Sequence, residues 1–342
     1  MAYRIAIVGA TGNVGRAIAQ TLAERAFPVE RLTPLASSRS TGAEVSFGDT
    51  VLKVQDAATY DFSKEDLVFF CANARDAEKI IPRILSTSGA YVIDKSCAYR
   101  MEPNVPLVVP EVNAQTLSLA TKRRLVASPN CVAIPLALTL APLQSLGTIE
   151  KVIVSTYQSV SGAGKEAMDE LYLQTKATFV AEHIPPQAFS KPIAFNVIPQ
   201  IDSFEQDGFT GEELKIIMEL KKMLSPQIQI TPTCVRVPVF VGHCAALNVT
   251  FDKKVSPQEA RDIFKGAPSV SLLDSADKEL FATPLDVAGE DTAFVSRLRQ
   301  NPRTPHDLTF WVACDNLRKG AALNAVQIAE TLVTQKYLSE HS

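Results

Sequence analysis

Residues 4–15 read RIAIV followed by GATGNVG. Residues 4–8 form a short apolar run, which is typical of a strand buried on both faces of a parallel sheet. The turn at residues 9–15 reads G-x-x-G-x-x-G, and residues 16–25 have helical character. Strand, glycine-rich turn and helix in this order predict a dinucleotide-binding βα unit, because glycines let a pyrophosphate approach the helix N-terminus.

The end of the second predicted strand indicates which dinucleotide binds. This strand covers residues 31–36 and is followed by Ser37-Ser38-Arg39-Ser40. An NAD-binding fold usually carries Asp or Glu here, about 20 residues past the glycines, to hold the ribose 2′-OH. Hydroxyls and a guanidinium suit a 2′-phosphate instead, so the sequence favours NADP over NAD. The alternative is an exposed polar loop.

A single cysteine follows the last strand of this βα alternation. Strand-like runs recur at residues 67–70, 91–94, 107–109 and 125–127, and Ser128-Pro129-Asn130-Cys131 then opens a long apolar segment. Ligands of open α/β sheets bind outside the carboxyl ends of the strands, which puts Cys131 on the cofactor face. The positive end of a helix favours a thiolate. Cys131 is therefore a candidate nucleophile, and the alternative is a small buried cysteine. Pro135 predicts that the helix behind it starts late or kinks.

Length, charge and cysteine usage narrow the class of protein. A chain of 342 residues is long for one core, so two domains are expected. A net charge of −3 without a basic run argues against nucleic acid. No apolar stretch approaches the roughly 20 residues that span a bilayer. The N-terminus shows no signal-peptide architecture, so a cytoplasmic location is expected. Six cysteines without C-x-x-C or Cys/His clustering predict free thiols and no metal site.

The chain resembles aspartate-semialdehyde dehydrogenases of the bacterial type through eight motifs in matching order. These are GATGNVG (9–15), ASSRS (36–40), VPLVVPEVN (105–113), PNC (129–131), YQSVSGAG (157–164), CVRVPV…GH (234–243), TPLDVAGED (283–291) and DNLRKGAALNAVQIAE (315–330). The resemblance implies an α/β protein with a Rossmann-like NADP-binding domain at residues 1–129 and 317–342. An α+β catalytic and dimerisation domain is implied at residues 130–316, with the C-terminal helix packing back on the first domain.

The implied reaction is the reversible, NADP- and phosphate-dependent interconversion of L-aspartate 4-semialdehyde and L-4-aspartyl phosphate. It runs through a cysteine thioester and serves the synthesis of lysine (through diaminopimelate), methionine and threonine. A homodimer is implied, and a tetramer is possible. Such chemistry needs a reactive thiol, a histidine to move a proton, and cations for phosphate and carboxylate.

The resemblance also assigns roles to residues of this chain. The catalytic set is Cys131 as nucleophile, His243 as acid and base, Gln158 to orient the substrate, and Asn130 beside the nucleophile. The substrate and phosphate set is Arg236 for the α-carboxylate, Glu219 for the amino group, and Arg100 and Lys222 for phosphate. The cofactor set is Gly9, Thr11, Gly12, Asn13, Val14, Ser37, Arg39, Ser40, Ser161, Gly162 and Asn316.

Two other functions stay open at this point. N-acetyl-glutamyl-phosphate reductase shares the fold and the thioester logic, but its substrate has a capped amino group, which makes an acid such as Glu219 pointless. A paralogue that binds NADP without catalysis would be expected to lose the cysteine or the histidine, and both are present. Individual residues have plainer readings too: Glu219 and Lys222 could form an ordinary helix-surface pair.

Overall fold

The structure is a computed structural model that describes residues 2–338. The chain divides into two compact units, bounded as Met1–Asn130 with Ala321–Ser342 (unit 1) and Cys131–Gly320 (unit 2). Within the described residues, no helix has the length and apolar character needed to cross a membrane.

Unit 1 alternates strands and helices up to Asn130. Its elements are β1 (Tyr3–Val8), α1 (Asn13–Glu24), β2 (Val29–Ala36), β3 (Glu44–Phe47), β4 (Thr50–Lys53), β5 (Gln55–Asp56), β6 (Leu67–Phe70), α2 (Ala74–Thr87), β7 (Tyr91–Asp94), α3 (Pro110–Asn113) and β8 (Leu125–Ala127). Six strands form a parallel sheet in the order β5-β2-β1-β6-β7-β8, while β3 and β4 form a separate hairpin. The strand order reverses at β1, and such a reversal is where doubly wound sheets bind ligands.

The turn between β1 and α1 needs its glycines for steric reasons. Gly9 has a φ of 85°, and a Cβ there would lie 2.8 Å from the carbonyl carbon of Cys71. A Cβ on Gly15 would lie 2.3 Å from the carbonyl oxygen of Gly9. Any side chain at either position would therefore push the turn away from the end of β6 or from α1.

Unit 2 is built on a mixed sheet. Its elements are α4 (Ala133–Leu143), β9 (Ile149–Gln158), α5 (Lys165–Phe179), α6 (Gly211–Met223), β10 (Gln229–Arg236), β11 (His243–Phe251), α7 (Pro257–Gly266), β12 (Val270–Leu272), α8 (Pro284–Val287), β13 (Ala293–Arg299) and β14 (Asp307–Cys314). The strand order is β10-β9-β11-β14-β13-β12. β9 lies parallel to β10 and antiparallel to β11. Gln158 at the end of β9, Arg236 at the end of β10 and His243 at the start of β11 therefore come together at the same end of these three strands.

The helix behind the nucleophile candidate starts earlier than its proline suggested. α4 begins at Ala133, two residues after Cys131, and Pro135 lies in its first turn. Backbone N–H groups of a first turn have no intrahelical acceptor, so a proline there removes no hydrogen bond. The expectation of a late start is wrong for this reason.

The final helix returns to unit 1. α9 (Leu323–Thr334) contributes Ala325, Ile328, Ala329 and Leu332 to the core that also contains Ile18 and Leu22 of α1. Arg25 and Glu330 add an ion pair, with Nε 2.7 Å from Oε1. A π-helical turn at Arg318–Ala322 precedes α9. The predicted fold class, including the return of this helix, is confirmed.

Candidate active site

Unit 1 contains a cavity of about 430 Å³ outside the carboxyl end of β1. Five residues of the predicted cofactor set line it: Gly9, Thr11, Gly12, Ser37 and Arg39. Of the others in this unit, Asn13 and Val14 open α1, and Ser40 ends a 3-10 turn at Ser38–Ser40. The cavity fits a dinucleotide, because it is lined by the turn at the start of α1, and a helix N-terminus can receive a pyrophosphate.

The cavity also contains polar residues that the sequence did not single out. Asp56 ends β5, and its Oδ1 accepts from the backbone nitrogen of Ala58 at 2.9 Å. Asn73 caps α2 through its Oδ1, which accepts from the nitrogen of Asp76 at 3.0 Å. Asp56 lies at the end of β5, which neighbours β2 in the sheet, and Asn73 follows β6, which neighbours β1. These strands are neighbours in space and not in sequence, so the strand order is needed to place the two residues at the cavity.

Two cations hold the segment that leads to the nucleophile candidate. Arg100 is buried and donates from Nε to the carbonyl oxygen of Ser128 at 3.1 Å and from Nη2 to that of Lys95 at 2.7 Å. Lys95 donates from Nζ to Ser128 Oγ at 3.1 Å and to the carbonyl oxygen of Pro129 at 3.2 Å. The backbone immediately before Asn130 is therefore fixed by two positive charges.

His243 is buried in unit 2, and only one of its two ring nitrogens has a hydrogen-bond partner among the described residues. Its Nδ1 accepts from the backbone nitrogen of Ser159 at 3.0 Å and lies 3.0 Å from Ser159 Oγ. Nε2 has no partner among the described residues. Burial lowers the pKa of His243 well below its ordinary value, and the charge of Arg236 lowers it further. A Cβ on Gly162 would lie 3.0 Å from Nε2, so this glycine keeps the space beside the ring clear.

Arg236 is a buried cation of unit 2. Nη1 donates to the carbonyl oxygen of Ser159 at 2.8 Å, and the guanidinium carbon lies 5.9 Å from the ring centre of Phe189. No carboxylate among the described residues forms an ion pair with it. Burial lowers its pKa, while Glu212 and the thiol of Cys131 oppose that shift. A cavity of about 370 Å³ opens at this residue. A buried guanidinium facing a cavity is a site for an anion.

Glu212 is a site residue that sequence reasoning missed. Its Oε1 accepts from Gln158 Nε2 at 3.0 Å, and Gln158 Oε1 stays buried without a partner among the described residues. Lys215 lies near Glu212, with Nζ 3.8 Å from Oε2, and pairs more closely with Asp202 at 2.6 Å. This pair has the same three-residue spacing as Glu219 and Lys222, which lie two turns further along α6, and Glu219 is buried.

Cys131 lies in the turn before α4 and is partly exposed. A Cβ on Gly320 would lie 3.0 Å from the carbonyl oxygen of Cys131 and 3.6 Å from its Cβ, so the backbone packs tightly there. Four other thiols are poor nucleophiles: burial raises the pKa of Cys71 and Cys244 to about 12 and those of Cys234 and Cys314 further still. In the described part of the chain, no group of three or more potential ligands is arranged to hold a metal ion.

Asn316 ties together the remaining predicted cofactor residues of unit 2. Its Oδ1 accepts from the backbone nitrogen of Gly242 at 2.9 Å and from Ser159 Oγ at 3.1 Å. Its Nδ2 donates to Ser161 Oγ at 2.9 Å. Ser161, Gly162 and Asn316 therefore belong to the same buried cluster as His243.

Comparison with known families defines the class of protein. Residues 4–120 match the family model described as the NAD binding domain of semialdehyde dehydrogenases, and residues 140–319 match their dimerisation domain. The chain is thus an oxidoreductase of the semialdehyde dehydrogenase class, with a domain that binds a nicotinamide cofactor.

More similar relatives narrow this class to one enzyme family. The aspartate-semialdehyde dehydrogenase of Rickettsia bellii is 45% identical over 97% of this chain and 98% of its own length. That of Bacillus subtilis is 41% identical over 96% of both chains. The solved structure of aspartate semialdehyde dehydrogenase II from Vibrio cholerae, in complex with ASA, has a TM-score of 0.94, 39% identity, and coverage of 98% and 99%. The chain belongs to the aspartate-semialdehyde dehydrogenase family, as its motifs predicted.

Proposed function

We propose that this chain interconverts L-aspartate 4-semialdehyde and L-4-aspartyl phosphate reversibly, using NADP and inorganic phosphate, through a thioester on Cys131. The observation that carries the proposal is that unit 2 contains both a buried Arg236 and the Nε2 of His243, and that among residues 2–338 the first has no ion-pair partner and the second no hydrogen-bond partner. The first is suited to a carboxylate and the second to a carbonyl oxygen, and a substrate with both groups is an acidic semialdehyde.

NADP is the proposed cofactor. Gly9, Thr11 and Gly12 would receive the pyrophosphate, while Ser37, Ser38 and Arg39 would receive the 2′-phosphate. The hydroxyls and guanidinium at the end of β2, where NAD-binding folds carry a carboxylate, support this preference. When bound, the nicotinamide supplies hydride-acceptor chemistry.

Cys131 and His243 carry the bond changes. The thiolate of Cys131 adds to the aldehyde carbon and converts its carbonyl into an alkoxide. Because Ser159 can only donate its backbone N–H to Nδ1, neutral His243 presents a proton on Nε2, and this N–H stabilises the alkoxide. Loss of hydride from the same carbon leaves a thioester. This geometry supports a role for His243 as a hydrogen-bond and proton donor, which is one half of the acid and base role expected of it. Asn130 lies directly before the nucleophile in the chain.

Arg236 and Glu212 recognise the amino-acid end of the substrate. Arg236 binds the α-carboxylate in two-point fashion, as guanidinium groups do. Glu212, held by Gln158 at 3.0 Å, accepts the ammonium group. Glu212 is proposed for this role beside Glu219, because Gln158, a predicted catalytic residue, donates to Glu212. The free Gln158 Oε1 contributes a further acceptor.

Phosphate releases the product. Arg100 supplies one cation, and Lys215 or Lys222 of α6 supplies another. An oxygen of phosphate attacks the thioester carbon, the C–S bond breaks, and Cys131 leaves as a thiolate. Lys215 Nζ lies 2.6 Å from Asp202 Oδ2, and this hydrogen bond lowers the pKa of the Asp202 carboxyl.

Unit 2 is also the proposed homodimer contact, and dimers could pair into tetramers. One face of β9 leaves Ile153 and Tyr157 42% and 39% exposed, and the Tyr157 ring packs 5.3 Å from that of Trp311 on β14. An uncovered apolar sheet face supports association, as does the match to a dimerisation domain. The reaction would feed the synthesis of lysine through diaminopimelate, methionine and threonine.

The test is an assay with two semialdehydes, with and without phosphate. Reduction of NADP with aspartate semialdehyde only when phosphate is present supports the proposal. A preference for N-acetyl-glutamate semialdehyde would favour the reductase alternative instead. Binding of NADP without activity on either substrate would favour a non-catalytic role.

A further inference from the structure

A buried carboxylate on α5 holds a loop instead of a cation. Glu170 Oε2 accepts from the backbone nitrogens of Gln187 and Ala188 at 2.8 and 2.5 Å, and Oε1 accepts from Gln174 Nε2 at 3.0 Å. No cation pairs with Glu170 among the described residues. Burying a charge is costly unless strong hydrogen bonds satisfy it, so these contacts fix the first residues of the loop firmly.

This loop covers residues 187–194. Its far end is held by the neutral side chain of Gln174, which lies one helical turn after Glu170 on α5. Gln174 Oε1 accepts from the nitrogens of Ile193 and Ala194 at 2.8 and 3.2 Å. Ile193 also packs with Ala167 and Leu171 of α5 in an apolar cluster. The far end is therefore also held by apolar packing against α5, which does not involve Glu170.

The loop carries the aromatic wall of the Arg236 cavity. Phe189 directly follows the two residues that Glu170 holds, and its ring centre lies 5.9 Å from the guanidinium carbon of Arg236. Ser190 lines the cavity beside it and donates to Gln200 Oε1 at 2.9 Å. The main chain is tied down as well, because Ile198 and Arg236 exchange two backbone hydrogen bonds of 2.8 and 2.9 Å.

We infer that Glu170 is a positioning residue for substrate affinity: by fixing the loop, it places Phe189 against Arg236 and so orients the guanidinium for the substrate carboxylate. Glu170 itself does not touch substrate. The inference rests on the proposed role of Arg236. It predicts that Glu170 affects the binding of carboxylate-bearing substrates and leaves the chemical step alone.

The experiment compares Glu170→Gln with Glu166→Gln, an exposed carboxylate on the same helix. An amide at position 170 has one acceptor oxygen and no charge, so it loses either the loop nitrogens or Gln174 Nε2 as donors and weakens the contacts that remain. KM for aspartate semialdehyde, and for succinic semialdehyde, which keeps the carboxylate, should rise roughly tenfold with kcat nearly unchanged. KM for NADP should not change, and Glu166→Gln should behave as wild type. An unchanged KM, or losses shared equally by kcat and the KM for NADP, would overturn the inference.

Two further variants keep the outcome decisive. If Glu170→Gln does not fold, Phe189→Leu removes the ring at the other end of the contact, and the same rise in KM without loss of kcat is expected. Arg236→Ala separates the two proposals. If that variant does not raise KM for carboxylate-bearing substrates, the role of Arg236 itself is wrong. If it does so while neither Glu170→Gln nor Phe189→Leu has an effect, only the positioning role is wrong.

Discussion

The backbone nitrogen of Ser159 donates a hydrogen bond of 3.0 Å to Nδ1 of His243. Since a backbone N–H cannot accept, this contact fixes the neutral imidazole with its proton on Nε2, the nitrogen left open. A charged ring would place a second N–H against Ser159, which adds to the reasons why this histidine stays neutral. In this tautomer, Nε2 of His243 is a hydrogen-bond donor at neutral pH.

The tautomer of His243 can be observed directly. In ¹⁵N-histidine-labelled protein near neutral pH, His243 should show a protonated Nε2 and an unprotonated Nδ1, with the signals assigned through His243→Asn. Ser159→Ala keeps the backbone donor and should keep the tautomer, with kcat reduced less than about tenfold. A protonated Nδ1 in the free enzyme would contradict the donor role.

The same burial predicts how stability depends on pH. The pKa of His243 lies well below 6.5 in the folded chain, because burial and Arg236 disfavour its charge, and returns to about 6.5 on unfolding. Below pH 6.5 the unfolded chain binds a proton that the folded chain does not. The free energy of unfolding should therefore fall with decreasing pH, by up to about 1.4 kcal/mol per pH unit. His243→Asn should lack this component, so denaturant titrations of both proteins should converge on acidification. A constant difference from pH 7.5 to 5.5 would speak against it.

Glu212 should recognise the substrate ammonium group. Glu212→Gln keeps the contact with Gln158 but loses the charge, so kcat/KM for aspartate semialdehyde should fall by roughly 10- to 100-fold. Succinic semialdehyde lacks the amino group, and its kcat/KM should barely change. Glu219→Gln is the matched variant on the same helix. If Glu219→Gln shows the selective loss and Glu212→Gln does not, the original assignment from the sequence is right.

Arg39 should select the cofactor. Arg39→Ala removes a cation exposed on the dinucleotide cavity, so KM for NADP should rise about tenfold or more, with KM for NAD within about twofold. Arg303→Ala, an exposed arginine of unit 2, serves as the control. Equal changes with both cofactors would remove Arg39 from the 2′-phosphate site. Asp56, which lines the same cavity, gives a second probe, because Asp56→Asn should not weaken NADP.

The local parts of the structure follow from the sequence, while its non-local parts do not. RIAIV-GATGNVG predicted β1, the turn and α1, because strand burial, glycine sterics and helix start all act within about 20 residues. Asp56 and Asn73 were missed, since they reach the cavity only through the strand order that places β5 beside β2 and β6 beside β1. No periodicity in one strand encodes its neighbours.

Glu212 shows a second limit of the sequence. Glu212–Lys215 and Glu219–Lys222 share one spacing, and both glutamates are buried on α6, seven residues apart. What separates them is the packing of the N-terminal end of α6, where the neighbouring Glu213 accepts from the backbone nitrogen of Cys234 on β10 at 2.9 Å. That contact brings Glu212 to Gln158. A helical pattern gives the face of a helix but not which turn meets the sheet.

A single-turnover experiment without phosphate can trap the proposed thioester on Cys131. Protein mixed with aspartate semialdehyde and NADP, quenched in acid within its first turnover and digested, should carry an aspartyl group on the Cys131 peptide. The accompanying NADPH should stop near one turnover and resume when phosphate is added, and Cys131→Ser should yield neither adduct nor NADPH. Rapid, sustained NADPH formation without phosphate, or an unmodified Cys131 peptide after a full burst, would rule out a thioester on Cys131.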